Sequence, residues 1–244
     1  MAILETIDLS KHFGGLVAVN GVNYSVEPGE LRSIIGPNGA GKTTFFNMIA
    51  GDLLPTSGKI IFQGEDIGKT ASHERSHLGI GRTYQITNIF SKLTVRENIR
   101  IAAQSRKTTF NFWTSVNDHK ELFEEADEII EKINLSGKIN ELAGTLAHGE
   151  QRYLEIGIAL ATKPTILLLD EPTAGMSPEE TQQTGQFIRD LADPLTIILV
   201  EHDMEVVLGI SDKITVLHNG EFLAEGTVEE IRANEEVQRV YLRE

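Results

Sequence analysis

The sequence contains no cysteine, and it is poor in basic residues and in long apolar runs. Without cysteine the chain forms neither a disulfide nor a thiolate metal site. Its 22 Lys and Arg oppose 36 Asp and Glu, a net charge of −14, which argues against a nucleic-acid partner because phosphate backbones need a basic footprint. No run approaches the roughly 18 apolar residues of a membrane-spanning helix, and Glu5 and Asp8 interrupt the N-terminal apolar residues that a signal peptide would need. These absences favour a soluble cytoplasmic protein.

What is present is a phosphate-binding motif. The chain fits the pattern G-x-x-x-x-G-K-[ST] with the residues Gly36, Pro37, Asn38, Gly39, Ala40, Gly41, Lys42 and Thr43, and Thr44 follows directly. The apolar run 31–35 before it predicts a buried strand, and the segment 41–50 predicts a helix. Glycines let successive N–H groups converge on one anion, and the helix N-terminus adds its dipole. We expect a nucleoside triphosphate here, with Lys42 reaching the β- and γ-phosphates and the Thr43 hydroxyl ligating Mg²⁺.

The surrounding pattern predicts an α/β fold with a P-loop core and a mixed, mainly parallel sheet. Strand-like runs at 2–9 and 16–26, separated by residues 11–15, predict a small antiparallel layer at the N-terminus. Continuous apolar runs at 165–170 and 196–200 predict strands buried on both faces. The span 86–150 reads as an inserted helical subdomain, with helices predicted at 121–133 and from about Gly149 to Ala161. We expect residues 1–244 to form one nucleotide-binding domain.

A second chemical element follows the run 165–170. Asp170 and Glu171 stand at the carboxyl end of a predicted strand, where open α/β sheets place their ligands. Asp170 is suited to hold Mg²⁺ through water, and Glu171 to polarise an attacking water. A lone acidic residue after a strand is as often a helix cap. The phosphate loop in the same chain makes the catalytic interpretation the favoured one.

The order of several short motifs resembles an ATPase domain of ABC transporters across essentially the whole chain. The motifs are the phosphate loop, Gln85 in 82–85, the signature segment 146–151, the Leu-Asp-Glu-Pro of 169–172, Ala-Gly-Met-Ser at 174–177 and Glu-His-Asp at 201–203. Details of residues 154–157, 174–177, 209–213 and 234–242 are most similar to ATPase subunits of branched-chain amino-acid and related amide or urea importers.

The resemblance implies a pair of such domains with two ATP molecules in their interface, each facing the partner's signature segment. It implies that Gln85 contacts Mg²⁺ or the attacking water, and that His202 hydrogen-bonds the γ-phosphate. Phe13 is the candidate for stacking on adenine, with packing in a small core as the rival interpretation. The family's usual signature is Leu-Ser-Gly-Gly-Gln. In this sequence Ala147 replaces the serine, His148 replaces the first glycine and Glu150 replaces the glutamine. The groups left to face the phosphate are the Gly149 N–H and the dipole of the helix that begins there.

The expected partners are membrane permease subunits, a second ABC ATPase subunit and, indirectly, a solute-binding protein, with the chain on the cytoplasmic face of the membrane and no nucleic acid. Alternatives stay open. An exporter or lipopolysaccharide-extraction ATPase shares the ordered motifs. A soluble ABC protein of translation or cluster assembly is another alternative, although translation members usually fuse two such domains in one chain. A DNA-repair ATPase fits less well, because those proteins carry long coiled-coil insertions and basic tracts.

Overall fold

The computed structural model describes residues 1–84, 88–106 and 120–242. Within these ranges the strands are β1 (Leu4–Phe13), β2 (Leu16–Val26), β3 (Leu31–Ile35), β4 (Ser57–Phe62), β5 (Glu65–Asp66), β6 (Ile80–Arg82), β7 (Ile166–Asp170), β8 (Thr196–Val200), β9 (Lys213–His218) and β10 (Glu221–Gly226). The α-helices are α1 (Lys42–Ala50), α2 (Ser72–Leu78), α3 (Val95–Ser105), α4 (Lys120–Lys132), α5 (His148–Leu160), α6 (Pro178–Leu191), α7 (Met204–Ile210), α8 (Val228–Ala233) and α9 (Glu235–Val237). The chain forms two compact units, one of Met1–Arg75 with Leu168–Glu244 and one of Ser76–Leu167.

The first unit contains the predicted antiparallel sheet, in the order β2-β1-β4-β5. The prediction that the first strand ends near Leu9 is wrong, because β1 continues to Phe13. Its last residues pair across to β2, His12 with Val17 and Phe13 with Leu16, after several register shifts. Exposed residues at this end of the hairpin obscure the strand in the sequence, while the cross-strand pairing extends it.

The core sheet of the first unit has the order β10-β9-β3-β8-β7. Strand β3 pairs in parallel with both β8 and β9, and β9 pairs with β10 in an antiparallel hairpin. All five residues of β3, β7 and β8 are buried, as expected of strands covered on both faces. This confirms the predicted mixed, mainly parallel sheet and brings the loops after β3, β7 and β8 to neighbouring positions.

Three helices begin with a side-chain cap. Thr94, Ser177 and Thr227 each accept a hydrogen bond from the N–H three residues on, in helices α3, α6 and α8. Each helix also has a glutamate at that position which accepts from the cap residue's own N–H, completing a capping box.

The second unit is mainly helical over its described residues. Helices α3, α4 and α5 pack together, with Ile99 and Ile130 fully buried and Gly157 allowing close approach. A Cβ added at Gly157 would lie 2.7 Å from Ile133. At the edge of this unit Gly79 O accepts bonds from Thr165 N at 2.8 Å and Ile166 N at 3.1 Å, which places β6 beside the first residues of β7.

Candidate functional site

An open cleft of about 390 Å³ lies over the loop between β3 and α1 in the first unit. Its lining comes from the N-terminal hairpin, the phosphate loop and the loops after β7 and β8. These lining residues are Phe13, Leu16, Val17, Ala18, Asn38, Gly39, Ala40, Gly41, Lys42, Thr43, Thr44, Glu171 and His202. The structure therefore brings together residues that lie up to 189 positions apart in the sequence.

The phosphate loop requires its glycines. Gly36 has φ 150° and Gly41 has φ 93°, and a Cβ would lie 2.1 Å from Leu217 O at the first position and 2.4 Å from Ala18 O at the second. Gly41 is the N-cap of α1, in the left-handed conformation that glycine adopts at low cost. Any side chain at these two positions would displace the loop from the start of the helix.

Lys42 lies inside the curve of the loop. Its ammonium donates to Gly36 O at 2.6 Å and Pro37 O at 3.1 Å. Burial lowers the pKa of Lys42, and the nearby Glu171 carboxylate partly offsets that shift. The Lys42 ammonium thus lies within the loop, and its positive charge would act on the same anion as the N–H groups of the loop.

Glu171 and His202 meet at the edge of the core sheet. Glu171 Oε1 is 2.9 Å from His202 Nε2, although the two residues follow different strands. Glu171 has a positive φ of 48°, which is uncommon for a residue with a side chain and clusters at functional sites. Its N–H donates to Val200 O at 2.8 Å, which ties the start of the loop after β7 to the end of β8.

The hairpin contributes an apolar surface to the cleft. Phe13 is 48% exposed, and Leu16 and Val17 beside it are 66% and 45% exposed. The rival interpretation of Phe13 as a core residue is therefore disfavoured. Lys11 Nζ lies 5.2 Å from the centre of the Phe13 ring. Sequence reasoning missed Leu16 and Val17, because exposed aliphatic residues in a strand carry no distinctive pattern.

The signature segment lies in the second unit, at the start of α5. The helix begins at His148 rather than Gly149, with Ala147 as N-cap and no side-chain acceptor there. Glu150 fills half of a capping box, since its Oε2 accepts from Ala147 N at 3.0 Å. Lys138 Nζ lies 2.7 Å from the same carboxylate, and this hydrogen bond lowers the pKa of Glu150. Lys138 was not among the predicted site residues.

Gln85 lies outside the described residues, but both flanks of its segment are held by α5. Arg152 donates to Tyr84 O at 3.0 Å, and Glu155 accepts from Asn88 N at 2.6 Å. Arg152 and Glu155 also pair with each other at 2.9 Å and are both buried. A buried ion pair on the signature helix thus anchors the chain on either side of residues 85–87.

The oxygen ligands that the protein offers here fit a magnesium ion that is held mainly by its nucleotide. Thr43 supplies an exposed hydroxyl at the first turn of α1, and Asp170 supplies a buried carboxylate at the end of β7. Oxygen ligands, few from protein and the rest from phosphate and water, are what Mg²⁺ prefers in nucleotide sites. In the part of the chain that the structure describes, no cluster of three or more His, Cys, Asp or Glu would hold a metal alone.

The sequence model described as ABC transporter matches residues 19–174, more than half of the chain. The chain belongs to the ABC transporter family. A second model, described as branched-chain amino acid ATP-binding cassette transporter, matches residues 223–242. The predicted resemblance is confirmed, and the chain is an ABC-type ATPase that binds ATP.

Individual relatives span nearly the full length. The chain is 43% identical to the high-affinity branched-chain amino acid transport ATP-binding protein BraF of Pseudomonas aeruginosa, over 99% of this chain and 98% of that one. It is 36% identical to the lipopolysaccharide export system ATP-binding protein LptB of Haemophilus influenzae, over 100% and 98%.

Solved structures agree with this assignment. The ADP conformation of MJ1267, an ATP-binding cassette of an ABC transporter, superposes with a TM-score of 0.87 at 32% identity, covering both chains entirely. The dimeric post-hydrolysis state of the cassette MJ0796, bound to ADP and Pi, superposes with a TM-score of 0.78 at 26% identity, over 92% of this chain and 98% of that one. Among the described residues, no helix is long and apolar enough to cross a bilayer.

Proposed function

We propose that this chain is the energy-coupling ATPase subunit of an ABC importer for branched-chain amino acids or related amides or urea. The observation that carries the proposal is the cleft, which joins the phosphate loop to the Glu171–His202 pair. The similarity to BraF and the match over residues 223–242 support the substrate class. Such a subunit does not touch the solute, so the class rests on similarity rather than on a pocket.

The proposed nucleotide pose follows from the cleft. The β- and γ-phosphates lie on the loop 36–44, where N–H groups, the α1 dipole and Lys42 oppose their charge. Adenine stacks on Phe13, with Leu16 and Val17 excluding water from the ring edge. Thr43, Asp170 and Gln85 would hold Mg²⁺, which would neutralise charge that develops on the phosphates.

The proposed hydrolytic step uses the pair at the sheet edge. Glu171 orients the attacking water and takes its proton as the bond from the water oxygen to the γ-phosphorus forms. The bond from that phosphorus to the β–γ bridging oxygen breaks in the same step, and ADP leaves. His202 Nε2 lies 2.9 Å from Glu171 Oε1 and holds the carboxylate in place before ATP binds. When ATP is bound, its N–H donates to a γ-phosphate oxygen instead. Positioning of this kind is the main protein contribution to phosphoryl transfer, because the reaction has little covalent chemistry for the protein to perform.

We propose that two such subunits, identical or different, enclose ATP between them, as the dimeric MJ0796 cassette suggests. Each signature segment then faces the partner's nucleotide with the Gly149 N–H and the start of α5. Ala147 supplies no hydroxyl, and Glu150 brings a carboxylate toward phosphates. The Lys138 ammonium would compensate for that negative charge.

Replacing Lys138 by Gln should weaken ATP-driven dimerisation, by roughly three- to tenfold for one uncompensated charge in a partly solvated site. The measurement is the dimerisation constant in Mg-ATP by sedimentation, in a Glu171→Gln background that does not consume the ATP. Lys132→Gln, which removes an exposed lysine from α4, is the charge-matched control. Adding Glu150→Gln to Lys138→Gln should restore most of the loss; a loss that persists would count against charge compensation.

The remaining proposed partners are membrane permease subunits and, through them, a solute-binding protein. The chain would sit at the cytoplasmic face of the membrane as a peripheral subunit. The similarity to LptB keeps lipopolysaccharide export as a second candidate function.

Uptake assays separate the candidates. Cells lacking this subunit should lose uptake of labelled leucine, isoleucine and valine, or of urea and short amides, at low external concentration. The intact gene should restore uptake and a Lys42→Ala gene should not. Normal uptake of every one of these solutes, together with a defect in the outer envelope, would favour the export function instead.

A further inference from the structure

A buried carboxylate outside the predicted site lies between the loops that carry Glu171 and His202. Glu201 follows β8 directly and is 3% exposed. Its Oε1 accepts from Thr173 N at 3.1 Å and from the Thr173 hydroxyl. Its Oε2 accepts from His202 N at 2.7 Å and from Asp203 N at 3.5 Å.

The two oxygens of the Glu201 carboxylate bind different loops. Among the described residues, one oxygen accepts only from the loop after β7, and the other accepts only from the loop after β8. All four of these partners are donors, so both oxygens of the carboxylate act as acceptors. Burying a charge is costly unless hydrogen bonds offset the cost, and here both oxygens are bonded.

Both bonded loops lead directly to the reacting groups. Thr173 is two residues after Glu171, in a turn closed by bonds from Ala174 N to Glu171 O and from Met176 N to Thr173 O, both 3.1 Å. On the other side, the Glu201 carboxylate binds the backbone N–H of His202 itself. The Glu201 carboxylate therefore links the two backbones, in addition to the bond from Glu171 N to Val200 O, and so contributes to the separation of Glu171 and His202.

The C-terminal segment approaches the same carboxylate. Tyr241 packs against a cluster that includes Val207 of α7 and Ile35 at the end of β3. Burial raises the pKa of Tyr241, and the charge of Glu201 raises it further. Glu201 is thus buried, with the C-terminal segment near enough for its charge to act on Tyr241.

We propose that Glu201 is a positioning residue for ATP hydrolysis, which fixes the distance between Glu171 and His202 through its bonds to Thr173 and His202. The proposal rests on the proposed roles of Glu171 and His202. It assigns to Glu201 no contact with nucleotide. Its consequence is that loss of the carboxylate slows the chemical step without weakening ATP binding.

Glu201→Gln tests this in the full-length chain. The amide offers one acceptor oxygen, so its NH₂ must face the N–H donors of one loop and push that loop away. We expect kcat to fall by roughly 10- to 100-fold, the scale of an ångström-level misplacement of a reacting group, with KM for ATP changed less than about threefold. Glu205→Gln, which removes an exposed charge from the first turn of α7, is the matched control and should leave both constants unchanged.

A second comparison separates positioning from general destabilisation. In a Glu171→Gln background the added Glu201→Gln change should lower kcat hardly any further, because the effects of residues that act as one unit are non-additive.

Should Glu201→Gln fold poorly, Thr173→Val is the alternative variant. It removes only the hydroxyl donor and should lower kcat by roughly three- to tenfold, while Thr173→Ser keeps the hydroxyl and should retain the wild-type kcat.

The outcomes are distinct. Normal kcat in Glu201→Gln, or an equal fold loss in both Glu171 backgrounds, would overturn the positioning role. Near-normal turnover by Glu171→Gln alone would instead overturn the proposed role of Glu171.

Discussion

Replacing Glu171 by Gln should lower kcat for ATP hydrolysis by roughly 10²–10⁴, the usual contribution of a general base, while ATP still binds. The amide keeps the size of the side chain but cannot take a proton from water. The phosphate loop, Lys42 and Phe13 are unchanged, so the nucleotide retains its contacts. The measurement is steady-state phosphate release together with the dissociation constant for a fluorescent ATP analogue.

Glu179→Gln is the control for loss of one nearby negative charge. Glu179 lies in the exposed first turn of α6, and its replacement should change neither kcat nor binding. A Glu171→Gln protein that hydrolyses ATP at a near-normal rate would show that another group activates the water. A protein that no longer binds the analogue would show that Glu171 is needed for the fold of the loop.

Replacing Arg75 by Met should destabilise the first unit by at least about 3 kcal/mol, because several buried carbonyls lose their donors at about 1–3 kcal/mol each. The guanidinium is fully buried and donates to carbonyl oxygens at the end of α1 and in the segment that follows β5. These acceptors are Met48 O at 2.7 Å, Ile49 O and Ile67 O at 2.6 Å and Thr70 O at 2.9 Å.

The Arg75 guanidinium stays positively charged although it is buried. Burial lowers the pKa of Arg75 to about 10, with Asp52 and Asp66 partly opposing the shift, so the group stays protonated at neutral pH. A cation at the C-terminal end of α1 also opposes the negative end of that helix dipole. Arg75 thus supports the far end of the helix whose first turn carries Lys42 and Thr43.

Urea unfolding followed by circular dichroism tests this prediction. Arg75→Lys keeps the charge but cannot reach four carbonyls, and should fall between wild type and Arg75→Met. Arg232→Met, at an exposed position in α8, is the matched control and should change the midpoint little. An Arg75→Met protein with an unchanged midpoint would mean that water replaces the guanidinium at those carbonyls.

Helices and turns can be predicted from the sequence where the residues that determine them lie close together in the chain. The capping box of α6 joins Ser177 to Glu180, and Asn219 and Gly220 connect β9 to β10, so both features depend on residues only a few positions apart. The helix predicted at 121–133 is found as Lys120–Lys132, because its apolar residues repeat at helical spacing. Strand β1 was underestimated since its end is held by pairing with Val17 and Leu16 rather than by its own composition.

The site was predictable where a motif defines its own geometry. The phosphate loop, Glu171 and His202 meet in one cleft, as the ordered motifs indicated. Glu201 and Arg75 were missed as functional or supporting residues because some of their partners lie far along the chain. Lys138 was missed although its partner Glu150 is only 12 positions away. Thr173 is 28 positions from Glu201 and Met48 is 27 from Arg75, and a charged residue in a sequence does not reveal its partner. The prediction for Gln85 falls outside the described residues and stays a prediction.

The most direct test of the account is to ask what the chain binds at the membrane. A tagged Glu171→Gln protein, held in Mg-ATP, is recovered from detergent-solubilised membranes of its own cell and its partners are identified by mass spectrometry, with Lys42→Ala as the control for nucleotide dependence. The account predicts multi-span permease subunits with a second ABC ATPase subunit, enriched over the Lys42→Ala control. Recovery of soluble proteins alone would contradict the transport role and favour a soluble ABC ATPase.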